Sequence, residues 1–191
     1  RMGYWKETPS GSLLVTPLVS EEMLASFFLK MSEQKLLDRT FNEGKATLKW
    51  YLDQYYNDKT TMLACMKEDE NKKLHMCGMG WVNFRIRVGD TFERAEVGEA
   101  FFRKTSPKDT IWFGRMMIDY CFKQLNLDAI TGLTAGPNWI AVKYARAIDF
   151  EVFGPIPYGT TWVNPETNKR EVCDAYLSVF SKERWANRSW R

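Results

Sequence analysis

The sequence predicts an α/β (α+β) domain built on a mixed central sheet, mostly antiparallel, with one parallel pair and helices on both faces. Three observations carry this. Three strand-like runs between residues 60 and 104 are joined only by short turns, the pattern of an antiparallel meander. After residue 105, helical and strand-like stretches alternate, which calls for parallel neighbours within the same sheet. Finally, 191 residues, 45% apolar and 27% charged, suit a single domain (1–191) with a sizeable core, and no internal repeat or low-complexity linker divides them.

The elements follow in order. "SLLVTPLV" (12–19) is a short β-branched and apolar run, a first strand. Ser20 precedes Glu21 and Glu22, a helix start with acids in its first turn, and Met23, Phe27 and Met31 recur at four-residue spacing as one apolar face. A second helix is predicted over 43–57, with Leu48, Leu52 and Tyr55 inward. "TTMLACMK" (60–67) reads as a strand, "EDENKK" (68–73) as a charged turn, "LHMCGMGWVNFRIRV" (74–88) as a long strand, "GD" (89–90) as a tight turn, and "TFERAEVGEAFFRK" (91–104) as the next strand.

The helical pattern then returns. In "TSPKDTIWFGRMMIDYCFKQL", Ser106, Pro107 and Asp109 stand where an N-cap, a first helical residue and a capping-box acid belong, and Ile111, Ile118, Cys121, Phe122 and Leu125 form the stripe. "LDAITGLTA" (127–135) is a strand. "GPNWIAVKYARAIDFEVFG" (136–154) opens a helix with Asn138 as its expected N-cap and runs into a strand interrupted by "PIPYGTTW" (155–162). That interruption reads either as a loop over an acceptor pocket or as a bulged hairpin arm. "NPETNK" is a turn, "REVCDAYLSVF" (170–180) the last strand, and "SKERWANRSWR" a basic, aromatic tail.

Composition narrows the function classes. No apolar run approaches the length of a membrane span, and no apolar secretory leader is expected, so the sequence reads as cytoplasmic with reduced thiols. Cys65, Cys77, Cys121 and Cys173 form no Cys-x-x-Cys, and no metal site is expected. His75 is the sole histidine, so a Ser-His or Cys-His hydrolase would have to use it. A net charge of +3 names no partner by itself.

The element order, together with the 136–154 stretch, resembles the GNAT superfamily of acyl-CoA-dependent N-acetyltransferases, and is most similar in tenor to bacterial and bacteriophage-borne members. Asn138, Ala141 and Phe150 stand at the late helix's typical Asn, Ala and Phe; Phe150, Glu151, Gly154 and Asp174 follow the closing Gly-Phe-Glu, glycine and strand Asp. The chain also departs from the family. The signature Arg/Gln-x-x-Gly-x-Gly/Ala falls on Ser106 to Ile111, "SPKDTI", which has no glycine. The common late-helix Tyr falls on Ala145, with Tyr144 one position early, and Asp149 replaces the Gly before Phe150.

The resemblance implies that the parallel strands splay, that acetyl-CoA is co-substrate, and that the acceptor is a primary amine on a small molecule or protein. It implies pantetheine pairing along Phe101, Phe102 and Arg103. It also implies phosphate contacts at the helix start through Lys104, Lys108, Asp109, Thr110 and Ile111, and a reach from Asn138. An acid on the 91–104 strand would be the general base, Glu99 before Glu96, and Tyr144 would orient or protonate the leaving thiolate. The alternatives stay open: strand acids paired with Arg85, Arg87 or Arg94, a merely capped helix, and a Tyr144 that only packs. Members of this fold also pair as homodimers through strand edges. A GNAT-like fold used instead for binding, in a virion or on nucleic acid, would use the tail's Lys182, Arg184, Trp185, Arg188, Trp190 and Arg191 to touch phosphates and bases.

Overall fold

Helix starts are set by hydroxyl caps. The side chains of Ser20, Thr47, Ser106 and Ser181 accept the amides of Met23, Trp50, Asp109 and Arg184, satisfying donors that the first turn leaves unpaired. The computed structural model describes residues 3–41 and 46–191. Its elements are β1 (Tyr4–Lys6), β2 (Ser12–Thr16), α1 (Glu21–Glu33), α2 (Leu37–Thr40), α3 (Leu48–Tyr55), β3 (Thr61–Glu68), β4 (Leu74–Val88), β5 (Phe92–Phe101), α4 (Pro107–Lys123), β6 (Ala129–Ala135), α5 (Trp139–Ala147), β7 (Glu151–Val163), β8 (Arg170–Ser181) and α6 (Lys182–Ala186). Of the helix predicted over 43–57, residues 46–57 can be compared, and the helix spans Leu48–Tyr55; residues 42–45 lie outside the described set.

The eight strands form one sheet in the order β1-β2-β3-β4-β5-β6-β8-β7. Every neighbouring pair is antiparallel except β5 with β6. Alternation along β5 assigns the two faces. Ala100, with Phe102 just past the strand's end, packs with Leu24, Phe27, Phe28 and Met31 of α1 and with Tyr51 and Tyr55 of α3. Their neighbour Phe101 turns the opposite way, onto Phe113 of α4 (6.0 Å) and Tyr144 of α5 (5.8 Å). On that second face Phe113 and Met117 cover Leu13, Val15, Leu63 and Cys65, while Ile118, Cys121 and Phe122 meet Ile130, Ile148, Phe150 and Phe180. Phe27, Phe113 and Phe180 are wholly buried, each worth about 1.5–3 kcal/mol of burial.

Three features add to the sequence reading. β7 is continuous, with register shifts between Phe153 and Ile156 and between Ile156 and Thr160; "PIPYGTTW" is therefore a bulged strand. Asp149, where the family carries glycine, adopts φ 72°. There Phe150 N–H bonds Ala145 C=O and Asp149 N–H bonds Arg146 C=O, so the aspartate takes the left-handed closing position that glycine fills at lower cost. The basic, aromatic tail is folded. α6 and the residues after it fold back on α4, with Trp185 stacked on Phe122 at 5.5 Å and Trp190 edge-on to Phe180 at 6.0 Å.

Candidate active site

β5 and β6 stay in register only at Arg94↔Ala129, Ala95↔Ile130 and Glu96↔Thr131. Beyond that point β5 keeps β4 beside it as far as Phe101↔Gly78, and β6 keeps β8 as far as Ala135↔Ala175. Each strand follows its outer neighbour, so the two part, and from Val97 to Phe101 the inner edge of β5 has no strand beside it.

Glu99 sits at this opening. It pairs with Gly80 across β4 and points its carboxyl toward α4 and α5. The surroundings are apolar: a void of about 10 Å³ beside it is walled by Leu63, Val97, Met117, Ile118 and Ile130. Burial pushes its pKa up to about 7, although the hydrogen bond from Tyr144 pulls the other way. Among the described residues no arginine pairs with it: Arg85 binds Glu93 instead, at 2.6 Å. Glu96 is exposed on the opposite face.

Tyr144 Oη lies 2.5 Å from Glu99 Oε2 and 3.0 Å from the Thr110 carbonyl oxygen. A phenol has one proton and accepts others at its oxygen. When Glu99 is ionised, Tyr144 donates to it. When Glu99 is protonated, the carboxyl can donate to the phenol while the phenol donates to Thr110. Both states are therefore served by moving hydrogens alone. Burial, and then the Glu99 charge, hold the Tyr144 hydroxyl well above the ordinary phenol range. Gly114 makes the arrangement possible, because a Cβ at that position would collide with Tyr144 Oη. Sequence reasoning missed Gly114; its signal is a glycine inside an otherwise regular helical stripe.

The α4 start is more occupied than the resemblance implies. Pro107 has no N–H, the Asp109 amide goes to Ser106 Oγ (3.2 Å), and the Thr110 amide goes to Ser106 C=O (3.0 Å). Thr110 Oγ1 donates to the Pro107 carbonyl, and Ile111 packs into the core beneath α4. The Asp109 carboxylate pairs with Lys67 at 3.3 Å. Lys104 and Lys108 are exposed beside the tip. Two expectations are corrected here. The Phe102 amide donates to Cys77 C=O and the Arg103 amide to Gln34 Oε1, so neither is open for pairing; the Arg103 guanidinium also binds the Gln34 carbonyl. Asn138 stands at the N-cap position of α5 but makes no side-chain cap; its Nδ2 reaches the Arg39 carbonyl at 3.5 Å.

The tail's cationic and aromatic groups are largely committed as well. Asp119 Oδ1, buried on α4, is met by Trp185 Nε1 (2.8 Å), Arg188 Nε (2.9 Å) and Trp190 Nε1 (3.3 Å). Arg184 donates to the Asp149 carbonyl and Lys182 to Asn126. The tail thus closes a core, and most of its cationic and aromatic groups already have partners within the fold. His75 bonds Asp69 at 2.7 Å, the four cysteines are free, and among the described residues no His/Cys/Asp/Glu group is placed to hold a metal ion. Among the same residues, no helix is long and apolar enough to cross a membrane.

No family model and no curated protein sequence matches this chain. Solved structures do. Mycobacterium smegmatis RimJ in complex with CoA-disulfide superposes with a TM-score of 0.71 at 12% identity, over 95% of this chain and 87% of its own. Spermidine N-acetyltransferase from Vibrio cholerae in complex with CoA and spermine gives 0.68 at 15%, over 92% and 98%. Ribosomal-protein-S5-alanine acetyltransferase from Vibrio fischeri gives 0.68 at 15%, over 95% and 98%. The chain has the fold of the GNAT acetyltransferases: a mixed sheet, mostly antiparallel, with one parallel pair that splays.

Proposed function

We propose that the protein is an N-acetyltransferase that takes the acetyl group of acetyl-CoA to a primary amine by direct attack in a ternary complex. The observation that carries this reading is a carboxyl with a pKa of about 7 at the mouth of the β5–β6 divergence. A base near neutrality accepts an ammonium proton and still releases it. Solved structures of the same fold hold CoA, and one holds CoA with spermine, in keeping with acetyl-CoA as the co-substrate.

The chain's own groups fit that chemistry in parts. The unpaired edge of β5 from Val97 to Phe101 supplies backbone N–H groups that would polarise a thioester carbonyl. Glu99 takes a proton from the incoming ammonium. Tyr144, bonded to Glu99, hands a proton to the departing sulfur and recovers one from Glu99. Of the two protons the ammonium loses in becoming an amide, one ends on the thiol and the other in solvent. Lys104 and Lys108, with the positive end of α4, supply charge for phosphates, and few α4 amides remain to help.

That shortage of amides favours one rival, a GNAT-like fold that performs no transfer. Thermal melting with acetyl-CoA separates the two. Ligand at 100 times its dissociation constant adds about 2.7 kcal/mol, which for a domain of this size raises the melting temperature by roughly 5–10 °C. Absence of a shift at millimolar acetyl-CoA overturns the transferase reading. Given a shift, Lys108→Glu reduces it if the phosphates lie at the α4 tip, and an unaltered shift removes them from there.

A further inference from the structure

Trp81 stands on β4 directly opposite Gly98 of β5, on the face of the sheet that α1 and α3 cover. Its indole extends across β5. A Cβ on Gly98 would lie within 2.4 Å of Cε2, Cζ2 and Nε1, atoms at the end of the side chain remote from its own backbone, so only glycine leaves room for the ring. Gly98 falls within residues 97–101, the stretch of β5 whose inner edge has no strand beside it. The far end of the indole therefore lies at the divergence, on the side of the sheet opposite the Glu99 carboxyl.

The ring itself is closed in. Phe41 stacks on it at 5.7 Å, Tyr55 leans against it at 5.2 Å, and the residue is 8% exposed. An ammonium is drawn to the open face of an aromatic ring, and this ring offers none. What it retains is an N–H, which can only donate. Buried indoles normally find an acceptor, as Trp185 and Trp190 do in Asp119. Trp81 Nε1 donates to no atom of the described residues.

A second donor lies next to it. Along β5 the carbonyls of Gly98 and Ala100 face Gly80 and Gly78 on β4, and that of Val97 faces Gly132 on β6. The N–H and C=O of one residue leave a strand on the same side, and the side alternates along the chain. The Glu99 amide therefore opens onto the divergence, one peptide bond from the glycine beneath the indole.

We propose that Trp81 Nε1 and the Glu99 amide together hold the thioester carbonyl oxygen, which makes Trp81 a catalytic residue. This rests on the transferase reading above. As the amine nitrogen bonds to the carbonyl carbon, an electron pair moves onto that oxygen, and both hydrogen bonds strengthen. When the C–S bond breaks, the pair returns to the carbonyl, the thiolate takes a proton, and Trp81 keeps its own throughout.

The test needs no acceptor amine. The protein has eight tryptophans, hence eight indole signals in a proton–nitrogen correlation spectrum, and the one missing from Trp81→Phe belongs to Trp81. Acetyl-CoA is expected to move that signal downfield, and CoA, which lacks the thioester carbonyl, to leave it in place. A second variant carries benzothienylalanine at position 81, which keeps both rings without the N–H and should melt like the wild type. Calorimetric titration should find its affinity for acetyl-CoA about three- to tenfold weaker and its affinity for CoA unchanged. Acetyl-CoA that binds without moving the signal, a signal that both ligands move alike, or a benzothienylalanine protein that binds acetyl-CoA like the wild type or loses both ligands equally would each overturn the proposal and leave the transferase reading standing. No binding of acetyl-CoA by the wild type would overturn both.

Discussion

Two acids lie on the α4 side of the sheet, and their surroundings differ. Asp119 is shut in by two indole N–H groups and a guanidinium, all within 3.3 Å of one oxygen, and its side chain and that of Arg188 are 5% and 10% exposed. Glu99 has one neutral partner, a phenol, and an apolar wall. The first acid has its charge answered and serves as a strut. The second has its charge resisted, and burial brings its titration near neutrality. What separates a structural acid from a candidate base here is the set of donors around it, since both are shielded from water.

That contrast can be broken by substitution. The largest effect is expected for Glu99→Gln assayed with acetyl-CoA and an amine acceptor: a loss of about 10²–10⁴-fold in turnover and disappearance of the rising limb near pH 7. Retained turnover would reduce Glu99 to a second strut. Next comes Asp119→Ala, which leaves Arg188 buried without its anion and two indoles without an acceptor. A cost of about 3–5 kcal/mol is expected, read as a fall of roughly 10 °C in melting temperature. An unchanged melting temperature would show that the tail is only resting on α4.

Smaller effects sharpen the picture. The folded-state pKa of Glu99, about 7, lies above its ordinary value of 4.5. Between those values the folded protein keeps a proton that the unfolded chain has lost, so stability falls as pH rises through this window and stays low above it. Glu99→Gln should therefore melt like the wild type at pH 4.5 and be more stable by about 2–3 kcal/mol at pH 8. Identical pH dependence in the two proteins would refute the raised pKa. Last, Tyr144→Phe removes the hydrogen bond that lowers the Glu99 pKa, so the rising limb should move to higher pH, with turnover down about tenfold. A limb that stays in place would mean the phenol and carboxyl are not coupled.

Much of this was readable from residue order, and the failures have physical causes. The run 74–88 is bounded by turn residues on both sides and holds no proline, and its predicted bounds are those of β4; Ser106 and Pro107 mark the start of α4 because a hydroxyl cap and a fixed φ are local properties. Glu99 followed from the family resemblance, as an acid on β5. Its bond to Tyr144 did not, since it joins residues 45 apart and depends on the missing side chain of Gly114. β1, α2 and α6, with 3, 4 and 5 residues, are too short for a period to register. Asn138 misled because a favourable residue type at a helix start does not force its side chain to cap. The tail's packing was hidden because its charge was visible and its counter-charge, Asp119, lay some 70 residues earlier within an apolar stripe.

The packing of Trp185 and Trp190 also sets what a shortened chain would lose. Phe122 and Phe180 are covered by these two rings, which lie beyond the last strand. A chain cut before residue 185 would keep every strand of the sheet yet bare an aromatic surface of the kind that chaperones hold and proteases find.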